Sequence, residues 1–290
     1  MRNDEIQFVQ FMHPGPESEP GPDGWKPWRP RLEPHRRTFV SNPGSFRRGL
    51  DGSRAESSQL HFWCEWECEA ELIQRFLRPP TGYPHYLFRP WFRSKGPDDF
   101  RGLSNTDPFV FDGPFRYCIC RQPKLKVLRY LAPGSVIAFG SNLREEFVID
   151  TVFVVSNGIW YRKTDRCKSL GVTEFYYDAA IAPVCCDADL ANEQYRLYEG
   201  ATPDGLVRGM FSYFPCVPAD KSENGFPRPV IRPTGPLMGL ITPNHKMGIK
   251  ATAISSTRAK EIWNAITTQV LEHDVFLGVS SDIPKRLPPK

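Results

Sequence analysis

Nine residues, His61-Phe-Trp-Cys-Glu-Trp-Glu-Cys-Glu69, hold the densest chemistry in the sequence. Leu60, Phe62, Cys64, Trp66 and Cys68 alternate with His61, Trp63, Glu65, Glu67 and Glu69, the period of a β-strand with its carboxylates on one face. On such a strand Glu65 and Glu67 project from one face about 7 Å apart, beside Trp63. Carboxylates that close to each other and to an indole push their pKa values apart by desolvation and repulsion, an arrangement suited to general acid-base work. The same charges suit an edge strand guarded against pairing, a role that leaves the two tryptophans unexplained.

Further acidic candidates are Asp112, in Asp107-Pro-Phe-Val-Phe-Asp-Gly-Pro-Phe-Arg-Tyr117, and Asp150, which interrupts the apolar run Phe147 to Val155. Aspartates before Pro or Gly most often serve turns. Strand alternation sends Asp150 away from Phe147, Ile149 and Phe153, hence outward, to an arginine or into a cavity. Directly after the aspartates, Arg116 to Arg129 carries five basic residues and no acid, a pattern for contacting phosphates. Arg116, Arg121, Lys124 and Lys126 are its candidates. Arg228, near Tyr213 and Phe226, lines a groove or snorkels at the surface.

Metal sites are not expected. Cys64-x3-Cys68, Cys118-x-Cys120 and Cys185-Cys186 lack paired CxxC spacing, and alternation splits His61 from Cys64 and Cys68. No P-loop, dinucleotide fingerprint, GxSxG or HExxH motif occurs, which excludes the commonest nucleotide-driven and hydrolase chemistries.

These groups need a scaffold rich in strands. The chain has 29 Pro, 22 Gly, 7 Trp, 10 Tyr and 20 Phe in 290 residues. Proline at that density breaks long helices and rules out bundles, coiled coils and helical solenoids. An α+β protein remains, with a mixed or antiparallel β-barrel core, long proline-rich and aromatic loops and a few helices. Residues 1–59 read as a proline-rich basic arm packed on or extending from the core, because Trp25 to Arg54 holds eight Lys or Arg against Glu33 and Asp51. Residues 60–281 form one elaborated domain and 282–290 a flexible tail. Strands are expected at Leu60 to Cys68, Ser135 to Gly140, Phe147 to Val155, Glu174 to Tyr177 and Met210 to Phe214. Helices are expected at Glu69 to Leu77, Ala188 to Tyr198 and Thr257 to His273, the last with Ile262, Ile266 and Val270 on one face. Without an apolar span or secretory leader, and with eight scattered cysteines, the expectation is a monomer in the cytoplasm with reduced thiols and no membrane. The net charge of +4 permits nucleic acid without demanding it.

The stretch Leu131-x-Pro-Gly-Ser-Val-Ile-Ala-Phe-Gly140, followed by Ile149-Asp-Thr-Val-Phe-Val-Val155, resembles a PUA/ASCH/EVE-type β-barrel over some 25 residues. Those barrels open a central hairpin with a Pro-Gly turn and an apolar strand and return through a valine-rich strand. The resemblance implies a small barrel whose mouth takes a nucleobase, often a modified one, and transfers no catalytic residue. Barrel strands, aromatic loops, basic flanks and clustered carboxylates together suit binding of a flipped base. The expected function is therefore DNA glycosylase-like, on DNA in preference to RNA and without a cofactor. Glu65 or Glu67 would activate water or stabilise the oxocarbenium-like sugar, assisted by Asp150 or Asp112. Trp63, Trp66, Tyr117, Phe111 and Tyr213 would meet the base. A non-catalytic reader of modified bases or RNA, and a nuclease using the acidic cluster, are the alternatives; a bacterial phage-defence setting suits modified-base chemistry.

Overall fold

Strand Gln7–His13 is apolar on both faces: Phe8 and Met12 enter one hydrophobic core, Val9 and Phe11 another. The strands Val136–Leu143 and Glu146–Arg162 divide their side chains in the same way. Alternating residues that are all buried need a sheet covered on both sides, and that is the architecture observed. The computed structural model describes residues 4–13, 15–50, 54–165, 167–185, 193–243 and 248–287. Its strands are β1 (Gln7–His13), β2 (Trp25–Lys26), β3 (Thr38–Arg47), β4 (Glu56–Cys64), β5 (Ala70–Arg75), β6 (Tyr86–Arg93) and β7 (Arg116–Tyr117). They continue as β8 (Val136–Leu143), β9 (Glu146–Arg162), β10 (Gln194–Gly200), β11 (Phe214–Pro218), β12 (Gly248–Ala253), β13 (Phe276–Ser281) and β14 (Lys285–Leu287).

A six-stranded mixed sheet runs β12-β1-β8-β9-β10-β7, with β1 parallel to β8. An eight-stranded sheet runs β13-β11-β4-β3-β6-β5-β2 with β14 beside β6, and β13 also pairs with β3. The ring β3, β4, β11, β13 is thus a small closed barrel. The protein is mostly β with few helices. The hairpin β8–β9, which carries the barrel resemblance in the sequence, lies in the six-stranded sheet and outside this ring. The long helix Ser256–Leu271, capped by Ser255, covers one face with Ala259, Ile262, Trp263, Ile266 and Val270.

Several expected elements differ. The first 59 residues are no arm: β1 is an inner strand of one sheet and β3 is part of the barrel. The prolines lie largely in the loops between these strands, so the density of proline in the segment hid its apolar ends. Ala70–Arg75 is a strand, not a helix, because pairing with β6 uses its backbone, and Glu71 meets Arg89 across the strands at 3.0 Å. Glu174–Tyr176 is a helical turn capped by Thr173 rather than a strand. Of the expected helix at 188–198, residues 188–192 lie outside the described residues and 194–200 are β10. Met210 to Phe214 only reaches regular strand at Phe214. The tail is ordered at Lys285–Leu287, paired parallel to Trp91–Arg93.

One irregularity positions chemistry. In the β8–β9 ladder Phe139 faces Thr151 while Gly140 faces Ile149, so Asp150 is the extra residue of a β-bulge. Bulges re-aim a side chain out of strand alternation. A Cβ at Gly140 would collide with the Val148 carbonyl oxygen, so only glycine fits against the bulge without a backbone shift. Gly140→Ala is expected to destabilise the protein by about 1–3 kcal/mol, read as a lower midpoint in chemical denaturation. An unchanged midpoint would show that the bulge tolerates a side chain.

Candidate functional site

The β3–β4 hairpin pairs Thr38 with Cys64 at its open end. The chain before β3 and the chain after β4 therefore leave side by side, which brings His35 and Arg37 against Glu65 and Glu67. His13, the last residue of β1, and Asp150, in the bulge of β9, reach the same place from the other sheet. Arg37 lies between: its Nε donates to Asp150 Oδ2 at 2.5 Å and its Nη1 to Glu65 Oε2 at 3.3 Å. Arg228 Nη1 lies 3.8 Å from Asp150 Oδ1, and Arg29 Nε lies 3.0 Å from Glu67 Oε2. Glu65, Glu67, Asp150, Arg29, Arg37 and Arg228 are all buried. Ions out of water persist only when paired, and these pair across four chain segments.

His13 connects this network to sulfur. Its Nδ1 is 2.6 Å from Glu65 Oε2 and its Nε2 is 3.0 Å from Cys120 Sγ. Burial lowers the His13 pKa, outweighing the neighbouring Glu65 charge. The neutral ring therefore donates its Nδ1 proton to the carboxylate and presents the bare Nε2 to the thiol. Burial would raise the pKa of Glu65, but His13, Arg37 and His35 hold it well below the usual range. Burial, reinforced by Glu65 and Asp107, pushes the Cys120 thiol well above its ordinary value. At rest the three groups form a carboxylate, a neutral imidazole and a thiol.

Cys120 is held in place by Asp107. The Asp107 carboxylate accepts from the backbone N–H of Cys118 at 3.0 Å, Ile119 at 2.9 Å and Cys120 at 2.7 Å. Tyr117 Oη donates to the Cys120 carbonyl at 2.7 Å. Burial lifts the Asp107 pKa to about 7 against the pull of those three N–H groups.

The cluster opens through His35, whose Nδ1 is 3.3 Å from both Glu65 Oε1 and Glu67 Oε1 and whose ring stacks on His13 at 5.3 Å. Burial works against its charge, but hydrogen bonds to the two carboxylates prevail and raise the His35 pKa to about 10. His35 and Cys120 line a cleft of about 320 Å³ with Arg31, Ser104, Asn105 and Arg121. Two buried donors at this cleft, Arg31 Nη2 and Asn105 Nδ2, have no hydrogen-bond partner. Lys124 and Lys126 are exposed and follow Arg121 and Pro123 of its lining in the chain. A second cleft of about 410 Å³ is lined by Glu17, Arg36, Trp63, Tyr83, His85 and Arg228. Among the described residues, His35, Glu65 and Glu67 are the group spaced to hold a metal ion; the donors are imidazole and carboxylate, and the cysteine patterns of the sequence do not supply them.

Of the acidic candidates, Glu65, Glu67 and Asp150 do converge. Glu65 and Glu67 lie beyond the end of β4, so the expected strand face does not bring them together; His35 does. Asp150 is buried rather than outward because both faces of β9 are covered there, and in the bulge it meets Arg37. Asp112 sits at φ 57 in a turn, with its N–H donated to Ser281 and its carbonyl accepting from Arg116, and shares no described bond with the cluster. The aromatic candidates are core residues. Trp66, Tyr117, Phe111 and Tyr213 are fully buried, with Trp66 Nε1 donated to Glu69 O and the Tyr213 hydroxyl on Thr267. Trp63 packs on Phe39 beneath Arg228. Of the five, Trp63 alone lines one of the two clefts, the one shared with Arg36 and Arg228. Arg116 is committed to Asp112 and Tyr176, and Arg228 to Gly15, Ser141 and Asp150. Of the basic candidates, Arg121 lines the cleft, and Lys124 and Lys126 are exposed without lining it.

His13, His35, Arg29 and Arg37 escape notice in the sequence, whereas Asp107 draws attention beside Asp112 as an aspartate before proline and Cys120 only as part of a cysteine pair without metal spacing. A faint signal is present: His35-Arg-Arg37 is a compact charged triplet inside a proline-rich segment. No protein-family model, curated protein or solved structure matches the chain.

Arg37→Ala should cost about 3–5 kcal/mol, because Asp150 and Glu65 lose a buried partner; thermal or urea unfolding measures it, and a loss below 1 kcal/mol would mean that water replaces the guanidinium. Since the folded Asp107 pKa lies above the unfolded value, the folded state holds more protons between about pH 4 and 7. Its contribution to stability is present below that window and lost as pH rises through about 7. A ¹³C titration of the Asp107 carboxyl carbon should show a midpoint near 7; a midpoint near 4, the ordinary carboxylate value, would contradict this.

Proposed function

We propose that the protein is an enzyme acting on a nucleic acid, DNA before RNA, with Cys120 as nucleophile, His13 as its base and Glu65 as the group that orients His13. The observation that carries this proposal is the position of His13, with one nitrogen on a carboxylate and the other on a thiol at the floor of a basic cleft. Nucleophile, base and orienting acid in hydrogen-bonded series are what nucleophilic catalysis requires. Unpaired donors on Arg31 and Asn105, with Arg121 in the same cleft, favour an anionic substrate such as a phosphate-bearing strand.

In this mechanism the Cys120 Sγ–H proton passes to His13 Nε2 as sulfur bonds to an electrophilic carbon of a nucleotide drawn into the cleft. Glu65 stabilises the imidazolium that forms. When the glycosidic bond is the target, the C–N bond breaks towards the base, which takes the proton from His13. The sugar stays on sulfur until water, deprotonated by His13, forms the C–O bond as the C–S bond breaks, and the released thiolate takes the proton back from His13. Glu65 thus supports another group rather than activating water, since both its oxygens are already engaged. A relation to PUA/ASCH/EVE-type barrels is part of the proposal; its support is the Pro-Gly turn and valine-rich return of β8–β9. One observation favours a reader without chemistry, namely that the surroundings of Cys120 keep its thiol protonated.

Incubation with ordinary and heavily modified phage DNA, followed by mass spectrometry for released bases and for a covalent adduct on Cys120, separates the two. Cys120→Ala should lower turnover by roughly a hundredfold or more while leaving salt-sensitive binding intact. Full turnover by Cys120→Ala overturns the thiol assignment. Salt-sensitive binding by the wild type with neither released base nor adduct identifies a reader.

A further inference from the structure

Glu65 and Glu67 divide their oxygens in the same way. Each Oε2 faces a guanidinium, Arg37 at 3.3 Å for Glu65 and Arg29 at 3.0 Å for Glu67. Each Oε1 faces His35 Nδ1, at 3.3 Å in both cases. One ligand atom from each of His35, Glu65 and Glu67 lies within 4.8 Å of the other two. Ligands at about 2.1 Å from a common ion stand about 3.4 Å apart in tetrahedral and about 3.0 Å apart in octahedral geometry. The two His35 distances fall within that range. The carboxylates are also oriented from behind, as ligands of bound metals are.

Glu67 also keeps acceptor capacity in reserve. It is wholly buried, its Oε2 is met by the Arg29 charge at 3.0 Å without an aligned hydrogen bond, and among the described residues its Oε1 accepts one hydrogen bond, from His35. A carboxylate offers about four acceptor sites, so a cation on the Oε1 side would use capacity that the protein leaves open.

We infer that His35, Glu65 and Glu67 form a binding site for one divalent transition-metal cation at the wall of the Cys120 cleft. An imidazole with two carboxylates and no sulfur suits Mn²⁺, Fe²⁺ or Zn²⁺ better than Mg²⁺, which prefers all-oxygen surroundings and its own waters. Three protein ligands leave coordination positions free, and His35, at 30 % side-chain exposure, is the ligand at the cleft. The cation enters as the Nδ1 proton leaves His35. Its free positions would then take an oxygen of the anionic substrate beside the thiol, acting as a Lewis acid. The site stands independently of the role of Cys120, which is not a ligand.

Full-length protein, stripped with chelator and dialysed against Mn²⁺, Zn²⁺ or Co²⁺, should retain about one equivalent by elemental mass spectrometry. The Co²⁺ form should also show visible d–d absorption. Glu67→Gln and His35→Gln should bind at least tenfold more weakly with unchanged circular dichroism, and Cys120→Ala should bind like the wild type. His35→Gln changes the partly exposed ligand, so it keeps the test open should Glu67→Gln fail to fold. A wild-type protein that retains none of the three cations, or a His35→Gln variant that binds them as tightly, overturns the site. Neither result bears on the thiol, whose own test is the covalent adduct.

Discussion

Three buried carboxylates must each find a cation, and that constraint organises the molecule. An isolated buried ion costs several kcal/mol even after relaxation, so Glu65, Glu67 and Asp150 are tolerable only where Arg37, Arg29 and Arg228 meet them. Arg37 is the pivot, since it bonds both Asp150 of the six-stranded sheet and Glu65 at the end of a barrel strand. The two sheets are thereby locked in one relative position. A shift of either would strip a buried charge of its partner.

The same lock sets out the reactive groups. Because Glu65 is held ionised by its neighbours, it can fix the tautomer of His13 and turn the basic nitrogen to Cys120. Because Asp107 gathers three consecutive backbone N–H groups, the Cys120 segment has little freedom to drift from that nitrogen. On the open side, His35 stands between the two carboxylates and the solvent-facing cleft. Residues 35, 36 and 37 accordingly serve three places: His35 the thiol cleft, Arg36 the second cleft, and Arg37 the ion network between them.

Much of the fold was legible because it follows from local pattern. The β8 and β9 strands announce themselves through β-branched runs, and the helix Ser256–Leu271 through Ile262, Ile266 and Val270. The misjudged elements share a cause. Ala70–Arg75 carries an apparent helical charge pair, yet its neighbour β6 captures the backbone first. β1 and β3 sit on either side of a proline-dense stretch, and composition averaged over 59 residues concealed them. Tertiary partners overrode local signals there, as strand propensities commonly allow.

What the sequence by itself determined was the character of the chain: strands in preference to long helices, Glu65 and Glu67 two residues apart, and basic residues following Arg116. Alternation, proline content and charge density are local properties, and they survive in the fold. Only the tertiary structure decided which groups meet. His13, His35, Arg37 and Cys120 come from segments as much as 107 residues apart, and Asp150, in a β-bulge of a strand covered on both faces, meets Arg37. The aromatic residues beside the glutamates went into the core, since large apolar rings gain more from burial than from waiting at a surface. Spacing along a chain carries no record of such meetings, because long-range contacts are set by how the two sheets pack and pair their buried charges.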